Sequence, residues 1–456
     1  VRLIFAALTL ATALGADFRA GVARLDITPK SPIYLSGYGD RKHPSEGVLH
    51  PIWAKALALE DSRKHRAVIV TTDLIGLPRA ITDVVAARAQ KDFNLDRANL
   101  LFNSSHTHTG PLIRANLQTM FALSPEETAT VNQYTGELTE NLLAVIGAAL
   151  GKLQPAGISY GIGAAHFGVN RRVATKKGMA IGVNPSGPVD PDVPVIKVEA
   201  ADGAVIAILF AYACHNTTLT GQFYQISGDY AGFAQIELEK AHPGAVAMFM
   251  MLCGADQNPS PRSKLELAEQ HGKTLATEVD RVLSAPLTPV KGMLRAAFSN
   301  IELDFALHTR ETFEEELKSP VGAHVRRAQA MLDAYDRRSP IRHTQYPIQA
   351  LRFGNSLTIL ALGGEVVVDY SLRVKREYGA GKLIVAGYSN DVLSYIPSQR
   401  VLREGGYEAV DSMTYYAQPG PYADDLEERI FAGIYKVMKR VGVERHRSVP
   451  EPGTIH

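Results

Sequence analysis

Five polar clusters carry the residues that could do chemistry. The first is Asn103-Ser104-Ser105-His106-Thr107-His108-Thr109-Gly110-Pro111, with two histidines at i and i+2. In an extended segment that spacing puts both imidazoles on one face. There they can share a metal ion, or one can hold the ion and the other its bound water. The second cluster is Ala213-Cys214-His215-Asn216-Thr217-Thr218, at the end of a long apolar run. The third is Cys253-Gly254-Ala255-Asp256-Gln257-Asn258-Pro259, and the fourth is Gly363-Gly364-Glu365. The fifth is Asn390-Asp391-Val392-Leu393-Ser394-Tyr395-Ile396-Pro397, with Tyr407 twelve residues after Tyr395. Two histidines, a glutamate and further oxygen donors suit zinc in a catalytic geometry. Each cluster alone also suits an ordinary polar turn. Their shared position at strand ends, where open α/β sheets place ligand sites, argues for convergence.

The elements that must position these clusters follow from apolar patterning. Runs at 67–72, 100–102, 158–162, 195–198, 205–214, 245–252, 357–362 and 383–386 read as strands, and 293–305 alternates like an antiparallel strand. Helical patterns cover 81–93, 229–241, 265–283, 313–335 and 424–441. Ser124-Pro125-Glu126-Glu127 is a capping box with proline at the first helical position, and opens a helix to about residue 153. The Gly/Pro-rich stretch 178–194 reads as a loop. The fold class expected is α/β, mixed α+β, with β-sheets flanked by helices in one mature domain.

Composition narrows the classes. The chain has 456 residues, 46% hydrophobic and 21% charged, which excludes a disordered or coiled-coil chain. Lys+Arg is 48 against Asp+Glu 47, so no basic field points to nucleic acid. Two cysteines exclude a disulfide-built scaffold. Residues 3–14 form an apolar run after Arg2, with small residues at Ala11, Ala13, Gly15 and Ala16. This predicts an export signal over 1–16, too short to span a bilayer at roughly 20 residues. The expected location is therefore periplasmic or secreted. Cys214 and Cys253 either pair there as a disulfide or stay as two buried thiols.

The ordered motifs resemble the neutral, or non-lysosomal, ceramidase family. They run from Ala20-Gly21-Val22-Ala23-Arg24-Leu25-Asp26-Ile27-Thr28-Pro29 through Gly37-Tyr38-Gly39 to His50-Pro51-Ile52-Trp53-Ala54-Lys55-Ala56-Leu57. Ser105-His106-Thr107-His108-Thr109-Gly110-Pro111 is similar to the family's T-H-T-H-S-G-P, and Asn170-Arg171 and Ser227-Gly228-Asp229 resemble its N-R and S-G-D. The resemblance implies a catalytic domain over 17–445 and a polar tail over 446–456, with no immunoglobulin-like C-terminal domain. It implies one Zn2+ per chain, held by His106, His215, Glu365 and Tyr395. His108, Arg171 and Tyr407 would lie around the metal as catalytic groups. The reaction implied is hydrolysis of the N-acyl amide of ceramide.

One departure bears on substrate. Where the family has the serine of G-D-x-S-P-N, this chain has Gln257, which cannot act as a nucleophile. The expected mechanism is therefore attack by zinc-bound water. His108 would serve as general base and then acid, and Arg171 and Tyr407 as oxyanion donors. Gln257 would orient the water or hold the substrate amide. Asp73 would orient a ligand imidazole or cap a strand. Two readings stand beside ceramide hydrolysis: a zinc hydrolase acting on another amide, ester or sugar-linked substrate, and a catalytically silent binding protein. The expected partners are a small-molecule or lipid substrate and peripheral contact with membrane or lipid micelles, with no protein partner. Segment 117–123 around Met120 and Phe121, and Phe223-Tyr224, are candidate walls for an acyl channel.

Overall fold

The structure, a computed structural model, describes residues 17–446. The expected export signal over 1–16, and the expected tail beyond its first residue, lie outside the described residues.

One nine-stranded sheet orders Val246–Met251, Val205–Tyr212, Asp192–Ala200, Gln154–Ala164, Phe18–Asp26, Trp53–Asp61, Arg66–Thr72 and Leu100–Ser104, with Thr288–Pro289 paired to Gln154–Ala164 off this path. A second sheet orders Leu294–Asp304, His343–Phe353, Leu357–Leu362 and Leu383–Ala386. Within these sheets three pairs are parallel: Arg66–Thr72 with Leu100–Ser104, Val205–Tyr212 with Val246–Met251, and Leu357–Leu362 with Leu383–Ala386. Parallel neighbours need a crossover. Helices Arg79–Phe93, Asp229–Ala241 and Val368–Tyr378 supply the three crossovers. Parallel strands are covered on both faces, so they read as continuous apolar runs. That is why these strands are the ones legible from sequence.

The strand Trp53–Asp61 shows how the layers arise. Ala54, Ala56 and Ala58 share a core with the helix Pro125–Gly151. Leu57 and Leu59, on the opposite face, pack with Leu351, Phe353 and Ile359 of the second sheet. Small side chains let the helix approach; a Cβ on Gly21 would lie 2.2 Å from the carbonyl oxygen of Ala149. Large side chains fill the space between the two sheets. Asp229–Ala241 and Leu265–Leu283 extend the helical layer on the first sheet, and Leu426–Arg440 covers the outer face of the second. The order is helix, sheet, sheet, helix, the mixed α/β architecture expected. The capping box forms as read: Glu127 N–H donates to Ser124 Oγ (3.1 Å) and Ser124 N–H to Glu127 Oε2 (2.7 Å).

Two expectations are corrected. The single helix over 313–335 is two, Arg310–Glu316 and Gly322–Asp336. Pro320 between them lacks an N–H and disfavours a helical Ser319. The loop over 178–194 begins as a strand, Gly178–Asn184, that hairpins with Gly168–Thr175. It packs no face into the core, so it shows no apolar alternation.

The carboxyl ends of the parallel strands gather at one place, and Asn103 ties them. Its Nδ2 donates to Met251 O (3.1 Å), Gly387 O (2.8 Å) and Ser389 Oγ (3.2 Å), while its Oδ1 accepts from Met251 N–H (2.8 Å). Asn103→Ala strands these buried groups. The expected loss is about 2–4 kcal/mol of unfolding free energy by urea titration, whereas an unchanged midpoint would show that the junction does not depend on it.

Candidate functional site

The polar clusters meet at this junction. The His106–His108 segment is not extended: His106 has φ of 62°, so the chain turns there. Such a conformation in a residue with a side chain is held by its surroundings. Here His106 N–H donates to Leu74 O (2.9 Å) and Ser105 N–H to Thr72 O (2.9 Å). Thr107 and Thr109 both donate their hydroxyls to Ser227 O (2.9 Å each), which gives the Ser227-Gly228-Asp229 motif its role. The turn still brings the two imidazoles together, with Nε2 of His106 and of His108 3.1 Å apart.

His106 Nδ1–H donates to Ile75 O (2.5 Å), and His215 Nδ1–H donates to Gly254 O (2.9 Å). A carbonyl only accepts, so each Nδ1 carries the proton and each Nε2 of the neutral ring is a bare acceptor. These two nitrogens face Glu365 Oε2 at 3.0 and 3.1 Å. His215 Nε2 also lies 3.1 Å from the Tyr395 hydroxyl. Burial, reinforced by nearby Arg171, pushes the His215 pKa down to about 4, so its ring is neutral. In that tautomer two acceptor nitrogens face one carboxylate oxygen, and all three groups are buried. A cation resolves that arrangement. Imidazole and carboxylate donors at roughly 2.0–2.1 Å from a tetrahedral ion are about 3.3 Å from each other, close to these spacings. His106, His108 and His215 have ring nitrogens within 4.8 Å of one another, and this triad can hold a metal ion.

Surrounding side chains fix the donors. Glu365 Oε1 accepts from the Tyr416 hydroxyl. Gly364, at φ of 73°, turns the chain into Glu365, and a Cβ there would lie 2.7 Å from Ser394 O. Burial raises the Tyr395 phenol, and the Arg171 guanidinium, which donates to its oxygen at 3.0 Å, works against that. Arg171 is itself held by Glu408 (2.8 Å) and by Asn258 Oδ1 (3.3 Å). Tyr407 meets Tyr395 edge to face at 5.4 Å. His108 is held through its backbone, by Arg41 donating to its carbonyl (2.8 Å), and its ring lies against Gly37, where a Cβ would be 2.3 Å from Nδ1. Burial, then the two facing imidazoles, hold the His108 pKa well below the usual range.

A cavity of about 550 Å³ opens beside the cluster, lined in part by His108, Arg171, Tyr395, Tyr407 and Met120. Gln257 is not on its wall. In the short strand Gln257–Pro259, alternate residues face opposite ways. The Gln257 amide accepts from Asp190 N–H (3.1 Å) and donates to Cys253 O (3.3 Å), while Asn258 lines the cavity. Phe223 and Tyr224 also lie off the wall, whereas Met120 is on it. Asp73 accepts from Trp53 N–H (2.9 Å) and Gln235 (2.9 Å), the strand cap, while backbone carbonyls orient the imidazoles. Cys214 and Cys253 are free buried thiols, raised by burial. Sequence reasoning missed Tyr416, Glu408 and Arg41, and it named Asn258 within the third cluster without a role of its own. A tyrosine pair at 415–416 and a glutamate beside Tyr407 were the only signals.

Asp256 links the site to the fold. It accepts from Val368 N–H (2.9 Å) and Asn170 Nδ2 (3.2 Å), and its carbonyl accepts from Arg171 N–H (2.8 Å). Burial pushes its carboxyl from 3.8 to about 7. The folded chain then holds a proton that the unfolded chain has lost between about pH 4 and 7, so rising pH costs stability across that window. Urea titrations should show wild type losing on the order of a few kcal/mol from pH 5 to 8 relative to Asp256→Asn. Parallel pH profiles would refute this assignment.

Residues 18–261 match the family described as "Neutral/alkaline non-lysosomal ceramidase, N-terminal". The neutral ceramidase of Pseudomonas aeruginosa is 25% identical over 253 residues, 53% of this chain and 37% of that protein. Neutral ceramidase B of Dictyostelium discoideum is 24% identical over 236 residues, 49% of this chain and 32% of that protein. The aligned segments thus span about a third of these curated relatives. The crystal structure of the P. aeruginosa enzyme superposes with a TM-score of 0.73 at 19% identity, covering 96% of this chain and 77% of that one. A solved ceramidase complexed with C2 gives 0.74 with the same coverage. With more than half of its sequence matched and the architecture shared, this chain belongs to the neutral/alkaline non-lysosomal ceramidase family.

Proposed function

We propose that this chain is a zinc-dependent amidohydrolase that cleaves the N-acyl amide of ceramide or a related N-acyl lipid. The observation that carries this reading is the set of buried imidazole, carboxylate and phenol groups facing one another beside a cavity. His106 Nε2, His215 Nε2, Glu365 Oε2 and the Tyr395 oxygen would hold the ion. When bound, zinc supplies Lewis acidity and brings the pKa of water to about 7.

The remaining chemistry falls to the chain. Water adds to the amide carbonyl carbon, the C–N bond breaks, and a carboxylic acid and an amine leave. His108 Nε2 takes the water proton and returns it to the departing nitrogen. Its ring is neutral in the folded state, as a base must be before it accepts a proton. Arg171 and Tyr407 stand on the cavity wall where negative charge develops on the carbonyl oxygen. Glu408 and Asn258 keep the guanidinium in place. Met120, Ile181 and Val321 supply apolar wall for an acyl chain. Export through residues 1–16 is part of this proposal, and N-terminal sequencing of the mature protein tests it.

Elemental analysis of purified protein should find about one zinc per chain. Turnover of a fluorescent ceramide or simple N-acyl amide should vanish in His106→Ala together with the metal. Protein that stays metal-free after reconstitution, or a His106→Ala variant of full activity, would overturn the reading. Tyr407→Phe should keep its zinc and lose roughly 10²–10³ in kcat, and an unchanged kcat would remove Tyr407 from oxyanion stabilisation.

A further inference from the structure

The charge on the cavity wall is not that expected for a neutral ceramide. Arg171, Arg262 and Arg326 line it, against one carboxylate, Asp40. Arg171 is answered by Glu408 at 2.8 Å. Among the described residues neither Arg262 nor Arg326 has a carboxylate oxygen within 4 Å. Arg326 is fixed to the wall by donating to Thr119 O (2.9 Å) and Met120 O (3.1 Å). Arg262 Nη2 donates to the Tyr38 hydroxyl (2.9 Å), and its buried Nε has no hydrogen-bond partner. The nearby Asp229 carboxyl acts on Arg262 only from beyond contact and accepts instead from Leu219 N–H (2.8 Å) and Tyr230 N–H (2.6 Å). Tyr38 is also on the wall, its oxygen accepting from Arg262 and its phenol O–H left to donate.

A concave site with guanidiniums that no carboxylate contacts, as at Arg262 and Arg326, attracts oxyanions. Opposite character comes from Ile181 and Val321, which line the same cavity and are 51% and 45% exposed. We propose that Arg262 and Tyr38 form a subsite for an oxyanion on the substrate, so that the preferred substrate is an amphiphilic N-acyl amide bearing a carboxylate or phosphate. This inference rests on the hydrolase reading for its amide, and on the wall for its anion. Arg262 is then the specificity-determining residue, with Arg326 adding charge from the neighbouring helix.

The test separates the two. Calorimetry on His108→Ala protein, which keeps the four converging donors, compares N-octanoylglycine and N-octanoyl-O-phosphoethanolamine with neutral N-octanoylethanolamine. The anionic amides should bind about tenfold tighter or more. Adding Arg262→Gln should bring all three together, and Arg262→Lys should keep part of the difference. The carboxylate and phosphate arms tell which oxyanion fits. Equal binding of neutral and anionic amides, or a preference that survives Arg262→Gln, would overturn the subsite. Release of octanoate by wild-type protein is followed in parallel. Anion preference without release would leave the subsite standing and remove the hydrolase reading.

Discussion

Everything at the centre of this protein depends on one electrostatic constraint. Two imidazole Nε2 atoms, on rings whose Nδ1–H groups are engaged by backbone carbonyls, each lie about 3 Å from one carboxylate oxygen in a buried place. Backbone carbonyls enforce this by claiming the other nitrogen of each ring, so neither histidine can turn its proton inward. Such an arrangement of acceptors repels itself in a low-dielectric interior unless positive charge joins it. Arg171 supplies some, donating to the Tyr395 oxygen at 3.0 Å. That arrangement is the one the proposed zinc ion would complete.

The fold explains how such an arrangement is sustained. Six strand ends from three parallel pairs point at one junction, and the chain leaves each end through a turn rich in polar groups. The turns are locked to one another rather than to solvent. Asn103 joins strands from both sheets, Thr107 and Thr109 reach Ser227, and Asp256 reaches both Val368 and Asn170. Left-handed conformations at His106, Asp229, Tyr388 and Asn390 concentrate here. Strain of that kind persists only where surrounding bonds over-determine it. The large sheets behind the junction provide that rigidity, because their two apolar faces leave the strands nowhere else to go.

Much of this was legible in the chain, for physical reasons that differ by element. The parallel strands declared themselves by continuous apolar runs, and the polar clusters by abrupt endings to those runs. The strand Trp53–Asp61 was harder to read because its alanines face a close-packed helix, so the period-two contrast is between small and large rather than polar and apolar. The hairpin strand Gly178–Asn184 carries no core face at all. At the site, the structure brings the four proposed donors near one another, although the His106–His108 pair meets through a turn rather than an extended segment. Gln257 was given a role that its neighbour's geometry suits better, because a one-residue step in a strand reverses its direction. Glu408 and Tyr416 act through partners distant in sequence, and no local pattern marks such residues.

The most direct test of the central claim is anomalous diffraction at the zinc edge from crystals of the protein. The account predicts a single strong peak enclosed by His106 Nε2, His215 Nε2, Glu365 Oε2 and the Tyr395 oxygen. Zinc-saturated crystals with no peak there would contradict it. So would a peak found only at the exposed Glu302, Asp304 and His343 cluster, the other group among the described residues with suitable spacing.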